Sequence, residues 1–242
     1  MSRYAFLRSP LWIAGIVIAL VTVLAFVNLG LWQLRRLDER SATNAAIEER
    51  SAVDPARLGV VIATHGTDPE ALVHRRVLVS GEYDREGEVM VVGTTLNGRS
   101  GHDVITPLAF DGGVVAVNRG WVPIDTEGPP AAGAEPPVGT VEVAGVLLDT
   151  ETTGSLGTTG PDGEYDQIGR IDLAVLSGQW GESLLPMYLL LEKQAPAGGD
   201  LPHPRAAPEP SQGPHLAYAI QWFIFAAIVA IGFPVLAYRA GR

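Results

Sequence analysis

Two long uncharged apolar runs enclose a region in which hydrophobic and polar residues alternate. Leu11 to Leu31 holds 21 residues broken only by Thr22 and Asn28, and Leu216 to Tyr238 holds 23 broken only by Gln221. As helices rising 1.5 Å per residue they are roughly 31 and 34 Å long, matching a hydrocarbon core of about 30 Å. Two buried helices of a soluble domain would be shorter and amphipathic. A cleavable signal peptide fits the first run poorly, because it is too long and Leu29-Gly30-Leu31-Trp32 offers no small-x-small site. Trp12 and Trp32 bracket the first run, and Tyr218, Trp222 and Tyr238 mark the second, where aromatic rings favour the headgroup level. The pattern predicts transmembrane helices over 11–31 and 216–238, short tails at 1–10 and 239–242, and a domain over 32–215.

Inside that domain the first helix is expected to continue toward Ala52, carried by Leu34, Leu37, Ala45, Ala46 and Ile47. The period then changes to two. Val77 to Tyr83, Val89 to Leu96, Val104 to Phe110, Val114 to Asn118 and Val141 to Leu148 read as strands, with weaker ones at Ile168 to Ile171 and Met187 to Leu191. Asn97-Gly98 and Asp111-Gly112-Gly113 read as hairpin turns. Asp172 to Ser177 reads as a short helix capped by Asp172. Three stretches, 126–140, 152–163 and 195–214, are rich in glycine, proline or small polar residues and read as flexible excursions. The predicted fold is a membrane protein: two transmembrane helices flanking a mainly antiparallel β domain, curled as a barrel or sandwich, with minor helix.

Charge refines this picture. The chain carries 17 basic and 27 acidic residues, and all the acids but only 13 of the basic residues fall in 32–215, which therefore has a net charge of −14. No basic run exceeds two residues, so no nucleic-acid partner is expected. The absence of cysteine excludes disulfides, thiolate catalysis, cysteine-ligated zinc, iron–sulfur clusters and a lipoprotein anchor. Two spans put both termini on one side. Arg35, Arg36, Arg40 and Arg50 after the first span outnumber Arg3 and Arg8 before it and vote against an inside N-terminus, whereas Arg239 and Arg242 against a lone Arg205 favour an inside C-terminus. Long loops cross a membrane largely regardless of charge; we take both ends as cytoplasmic and the domain as extracytoplasmic.

Signatures of catalysis are missing: there is no Gly-x-Ser-x-Gly, phosphate loop, dinucleotide fingerprint or paired zinc histidines, so no catalytic residue and no enzyme activity is expected. Asp162, Glu164 and Asp166 have the spacing of the first calcium ligands of a helix–loop–helix site, but Gln167 stands where glycine is required and no glutamate closes the loop. A polar turn is the simpler reading, and no metal ion is expected. His65, His74 and His203 read as surface residues and His102 as the start of a strand. His215 stands at the mouth of the second span on one helical stripe with Tyr218 or Ala219 and Trp222. It is either an interfacial histidine that opens a helix or an imidazole able to ligate haem iron. Gln221 is a second polar group within the span and calls for a hydrogen-bonding partner, another helix being the simplest. In Asn118-Arg119-Gly120-Trp121-Val122-Pro123, Arg119 and Trp121 are either partner contacts or the tie and plug of a barrel corner.

Five segments taken in order resemble the Surfeit locus protein 1 family. They are Gly30-Leu31-Trp32-Gln33-Leu34-Arg35-Arg36; Arg75-Arg76-Val77-Leu78-Val79-Ser80-Gly81-Glu82-Tyr83-Asp84; Thr106-Pro107-Leu108; Val117 to Pro123; and Tyr218-Ala219-Ile220-Gln221-Trp222-Phe223. The insertions at 126–140 and 195–214 depart from the family pattern. The resemblance implies a factor for assembly of cytochrome c oxidase in the bacterial cell membrane, with two transmembrane helices around a domain outside the cytoplasm. It also implies haem a as a transient cofactor of His215; the geometry of the two-helix hairpin would then set Trp222 against the macrocycle and Arg35 or Arg36, whose guanidinium forks suit carboxylates, toward the propionates. The expected partners are oxidase core subunits or a larger respiratory complex, and membrane lipid. The competing expectation is a stable accessory subunit of a respiratory oxidase that binds no haem. A membrane-anchored enzyme has the least support.

Overall fold

The computed structural model describes residues 5–154, 157–159, 163–181, 183–207 and 210–242. After a 3-10 turn at Ala5–Arg8, helix α1 runs unbroken over Pro10–Ser51, so the apolar run does continue into the charged stretch that follows. The last helix, α5, spans His215–Ala240. Both are long and apolar enough to cross a membrane. The backbone divides into two units, residues 1–48 with 210–242, and residues 49–209.

In the first unit α1 and α5 pack through small residues. Ala219 and Ala226 are buried, and so is Gly30, where a Cβ would lie 2.7 Å from the Phe223 ring. Phe26 packs on Trp222 and Phe225 at centroid distances of 5.5 and 5.8 Å. Toward the other end of α1, Trp12 meets Phe233 at 6.1 Å. Small residues of this kind let two helix backbones approach closely.

The second unit is a sheet. Strands β1 (Ala56–Arg57), β2 (Arg76–Tyr83), β3 (Val89–Leu96), β4 (Arg99–Phe110), β5 (Gly113–Pro123), β6 (Thr140–Asp149), β7 (Gly157–Thr159), β8 (Tyr165–Ile168) and β9 (Leu184–Ala195) run in the spatial order β1-β2-β6-β9-β5-β4-β3-β8-β7. A further ladder, Gly81↔Phe110 to Tyr83↔Leu108, joins β2 to β4. Most pairs are antiparallel, but β1–β2, β3–β8 and β5–β9 are parallel. The hairpin β3–β4 turns on Asn97-Gly98, both at positive φ (50° and 77°), and β4–β5 turns on Asp111-Gly112. Helix α4 (Leu173–Trp180) is capped by Asp172, whose carboxylate accepts from Val175 N.

Period-two alternation sorts the strands onto two buried faces. Val115, Val117, Met187 and Leu189 join one core with Val141, Val143 and Leu147. Their neighbours Ala116, Tyr188 and Leu190 join the other with Val146 and Leu148, under Leu173 and Leu176 of α4.

Several expectations need correction. The fifth strand does not stop at Asn118 but runs to Pro123, because a bulge absorbs one residue: Ile105 faces Asn118 and Val104 faces Gly120, leaving Arg119 between ladder pairs. The third hairpin strand starts at Arg99 rather than Val104. The weak strand placed at Ile168–Ile171 lies three residues earlier, as β8, and β9 is longer than Met187–Leu191 at both ends. Two short helices, α2 (Leu58–His65) and α3 (Pro69–Leu72), and the brief β1 and β7 have no counterpart in the sequence reading. The insertion 126–140 is not loose: Ala131 and Ala134 are buried against Met90, Val104 and Val122. Nor is the described part of 195–214 a free linker, since His203 bridges to Trp121 and Arg205 pairs with Asp103.

Candidate functional site

In the helix pair, the residue that closes the first apolar run meets the residue that opens the second. His215 Nδ1 lies 2.9 Å from Gln33 Oε1, and Gln33 is buried. With Oε1 facing the ring the Gln33 amide can only accept, which suits the tautomer with its proton on Nδ1 and a lone pair on Nε2. That second-atom hydrogen bond is what orients a ligating imidazole. Gly213 flanks the ring without a side chain; a Cβ there would sit 3.4 Å from Nε2. Trp222, half-buried, packs on Phe26.

The other residues named for this site stand differently. Arg36 follows Gln33 by three positions, on the same stripe of α1, and its Nη1 pairs with Glu39 Oε2 at 2.8 Å. Both partners are exposed, so the guanidinium exchanges partners at little cost. Arg35 is exposed. Gln221 is exposed on α5 and does not reach α1; the amide that bonds across the pair is Gln33. The sequence signal for Gln33 was present, as a polar residue inside the Gly30-to-Arg36 segment, but its role needed the register of the two helices.

The residue types fit a haem: an imidazole with one nitrogen that makes no hydrogen bond among the described residues, the Trp222 and Phe26 rings two turns along α5 and α1, and the Arg36 guanidinium three residues on from Gln33.

A second polar cluster lies in the sheet unit. Arg119 is 2% exposed, and its Nη1 donates to Glu88 Oε2 at 3.0 Å while Nη2 donates to Ala134 O at 2.6 Å. Glu88 Oε2 also accepts from Thr106 Oγ1 at 2.6 Å, and Oε1 accepts from Ala131 N at 2.8 Å. The guanidinium carbon stands 5.5 Å from the Tyr83 ring centroid. Burial lowers the Arg119 pKa while the Glu88 charge opposes the shift, and burial pushes the Tyr83 phenol above its ordinary range. Arg119 Nε has no acceptor among the described residues. Trp121 is 3% exposed, its ring parallel to His203 at 6.1 Å. Gly120 between them has φ +126°, and a Cβ there would strike His203 O at 2.3 Å. Arg119 and Trp121 are therefore turned inward, in the arrangement of a corner tie and plug. Glu88 was missed, because a lone acid before a strand carries no sign of a partner 31 residues on.

Of the remaining candidates, Asp162 of the calcium-like spacing lies outside the described residues. His65 is exposed, and Arg99 is exposed after its turn. His74, at φ 66°, has its pKa lowered by burial and by Arg50. His102 lies within β4 rather than at its start.

A sheet domain between two long apolar helices, with polar clusters built on the five ordered segments, defines the class of protein. The SURF1 family model matches residues 20–227. An uncharacterized SURF1-like protein of Mycobacterium bovis is 31% identical over 250 residues, covering 100% of this chain and 89% of that protein. A SURF1-like protein of Monosiga brevicollis is 27% identical, covering 92% of this chain and 87% of its own. One of Rickettsia bellii is 25% identical over 88% and 86%. The chain belongs to the SURF1 family.

Proposed function

We propose that this chain is a non-catalytic membrane factor for assembly of cytochrome c oxidase, and that it holds haem a, or an immature core subunit, at one end of its helix pair. Family membership supports the first part. The observation that carries the second is the His215–Gln33 pair, in which Nε2 makes no hydrogen bond among the described residues. In this reading α1 and α5 cross the bacterial cell membrane, both termini are cytoplasmic, and the sheet unit lies outside. The circuit of pairs β2–β6–β9–β5–β4 and back to β2 supports a barrel.

The chain's own residues would act by binding and orientation. His215 would offer Nε2 to iron, held in plane by its Nδ1–H donation to Gln33. Trp222 would pack on the macrocycle, and Arg36 or Arg35 would leave solvent or Glu39 for a propionate. Haem a supplies the redox chemistry of the oxidase, and this chain would only keep it soluble and oriented for delivery. His215 is the only histidine in residues 1–48 and 210–242, so binding to the isolated monomer should be weak and labile.

The test is the absorption spectrum of protein made alongside a haem a synthesis pathway. Wild type should carry haem a, and His215→Met, at equal abundance, should carry much less. Equal haem in both would end the ligand reading. One-to-one copurification with mature oxidase, without haem, would favour the accessory subunit instead. A cytoplasm-dependent reporter fused after Arg242 should be active; activity of an export-dependent one there would reverse the topology.

A further inference from the structure

A cavity of about 390 Å³ opens in the sheet unit where the β3–β8 ladder ends. β3 pairs with β8 only at Met90 and Val91, so the outer edge of Val92–Leu96 has no strand partner among the described residues. Val91, Leu148, Ile171 and Leu190 give the cavity apolar walls. Its polar groups are unequally used. Asp103 is spent: Oδ1 accepts from Arg205 Nε at 2.7 Å and Thr94 Oγ1 at 3.2 Å, and Oδ2 from Asn118 Nδ2 at 3.4 Å. Glu151 is held by its backbone and by Oε2, which accepts from Ile171 N at 3.0 Å, and Oε1 is left over. Tyr188 is 7% exposed, lines the cavity, and its hydroxyl makes no hydrogen bond among the described residues.

The chain shows what such a site accepts. Arg205, on the segment leading away from His203, lays its guanidinium on Asp103 and donates Nη1 to Thr95 O, a carbonyl of the same open edge, at 3.0 Å. One extended segment thus already docks a cation here. The spare groups, Glu151 Oε1 and the Tyr188 hydroxyl, ask for donors, and the −14 charge of 32–215 asks for a positive partner. Burial and the carboxylates of Glu151 and Asp103 raise the Tyr188 pKa, so its phenol stays a neutral O–H.

We propose that the cavity is a docking site for an extended segment of a partner polypeptide, which continues the sheet along Val92–Leu96 and seats a basic side chain between Glu151 and Tyr188. Backbone pairing along the edge would give affinity and the acidic cavity would give choice of side chain. This proposal does not depend on haem binding.

The test uses the full chain in detergent micelles, labelled with 3-fluorotyrosine, with the Tyr188 resonance assigned by its loss in Tyr188→Phe. The probe is acetyl-Thr-Val-Arg-Val-Thr-amide, with the same peptide carrying Glu in place of Arg as its counterpart. The arginine peptide should shift the Tyr188 resonance saturably and bind about tenfold more tightly than the glutamate peptide. Glu151→Gln, which keeps the acceptor for Ile171 N, should weaken it about fivefold, and Glu86→Gln should not. No saturable shift, equal affinity of the two peptides, or indifference to Glu151→Gln would overturn the proposal. Butylguanidinium binding as tightly as the peptide would overturn the strand-addition part, leaving a site for small cations.

Discussion

Two polar pairs in this protein obey opposite rules. Arg119 and Glu88 are both about 1% exposed at the side chain and spend their hydrogen bonds on Thr106, Ala131 and Ala134. Gln33 and His215 make one bond to each other and leave an imidazole nitrogen over. The first arrangement joins β4, β5 and the entry to β3 to an insertion, and leaves over only the buried Arg119 Nε among the described residues. The second joins two helices at one point and keeps a ring nitrogen with no hydrogen bond among the described residues. The comparison separates the family's ordered segments by role. Those at Tyr83, Thr106 and Arg119 converge on the closed cluster, and those at Gly30 to Arg36 and Tyr218 to Phe223 meet at Gly30 and Phe223 in the helix pair that carries the open one. A segment that marks a family is thus not by that fact a binding site.

The largest expected effect falls on the closed pair. Arg119→Ala leaves a buried carboxylate whose countercharge is gone, and breaking such a pair costs about 3–5 kcal/mol. Arg99→Ala, on an exposed turn, should cost less than about 0.5 kcal/mol. Urea unfolding of the full chain in mild detergent measures both. Similar midpoints for the two variants would mean that Arg119 is not the tie described here. An unchanged Arg119→Ala stability with lost oxidase assembly would restore its role as a partner contact.

Next comes the packing that brings the open pair together. Gly30→Val forces a side chain into the Phe223 ring, and overpacking of this kind costs about 1–3 kcal/mol. Thermal unfolding monitored by near-UV circular dichroism reads it through Phe26, Trp222 and their neighbours. Full stability in Gly30→Val would show that the helices need no such close approach.

What the sequence disclosed follows from how each feature is encoded. The two long helices and the strands β2, β3 and β6 are local patterns, readable from length and alternation. Leu58–His65 is a short apolar run, and periodicity alone does not tell such a helix from a strand. Gly120 and Pro123 read as punctuation, but a bulge and an edge of the ladder accommodate both within β5. The proline-rich insertions look flexible by composition, yet Ala131, Ala134, His203 and Arg205 hold them through partners distant in sequence. The same holds for the sites. His215, Trp222 and Arg119 announce themselves by context, whereas Glu88, Gln33 and Tyr188 acquire meaning only from register.

A half-buried pair calibrates the scale between these extremes. Asp172 caps α4 and pairs with Arg170 at 2.7 Å, and the Arg170 hydrogen bond holds its carboxyl below the usual carboxylate range. A depressed folded pKa means that the stabilisation is complete above the ordinary carboxylate range and fades as pH falls through the folded value. Asp172→Ala should cost about 1 kcal/mol at neutral pH, the usual worth of a cap. The gap from wild type should close on acidification below the carboxylate range. Thermal midpoints at several pH values follow it, and a gap independent of pH would mean that the cap acts through packing alone.

The smallest stability effect belongs to the open pair itself, and it decides what that pair is for. Side-chain hydrogen bonds between membrane helices average only about 0.6 kcal/mol, so Gln33→Leu should barely move the unfolding midpoint. The consequence for the imidazole is larger in kind. Without an acceptor at Nδ1, the ring loses the bond that keeps the proton there and aims Nε2, and orienting partners of this type are commonly worth 10- to 100-fold in ligand affinity. Gln33→Leu should therefore retain fold and abundance while losing haem a. Gln33→Glu, which keeps an acceptor for Nδ1–H, should retain more haem than Gln33→Leu. If Gln33→Leu instead lowers stability by several kcal/mol and leaves haem content untouched, the pair is a structural tie like Arg119 and Glu88. The contrast between a closed and an open pair would then collapse into one rule.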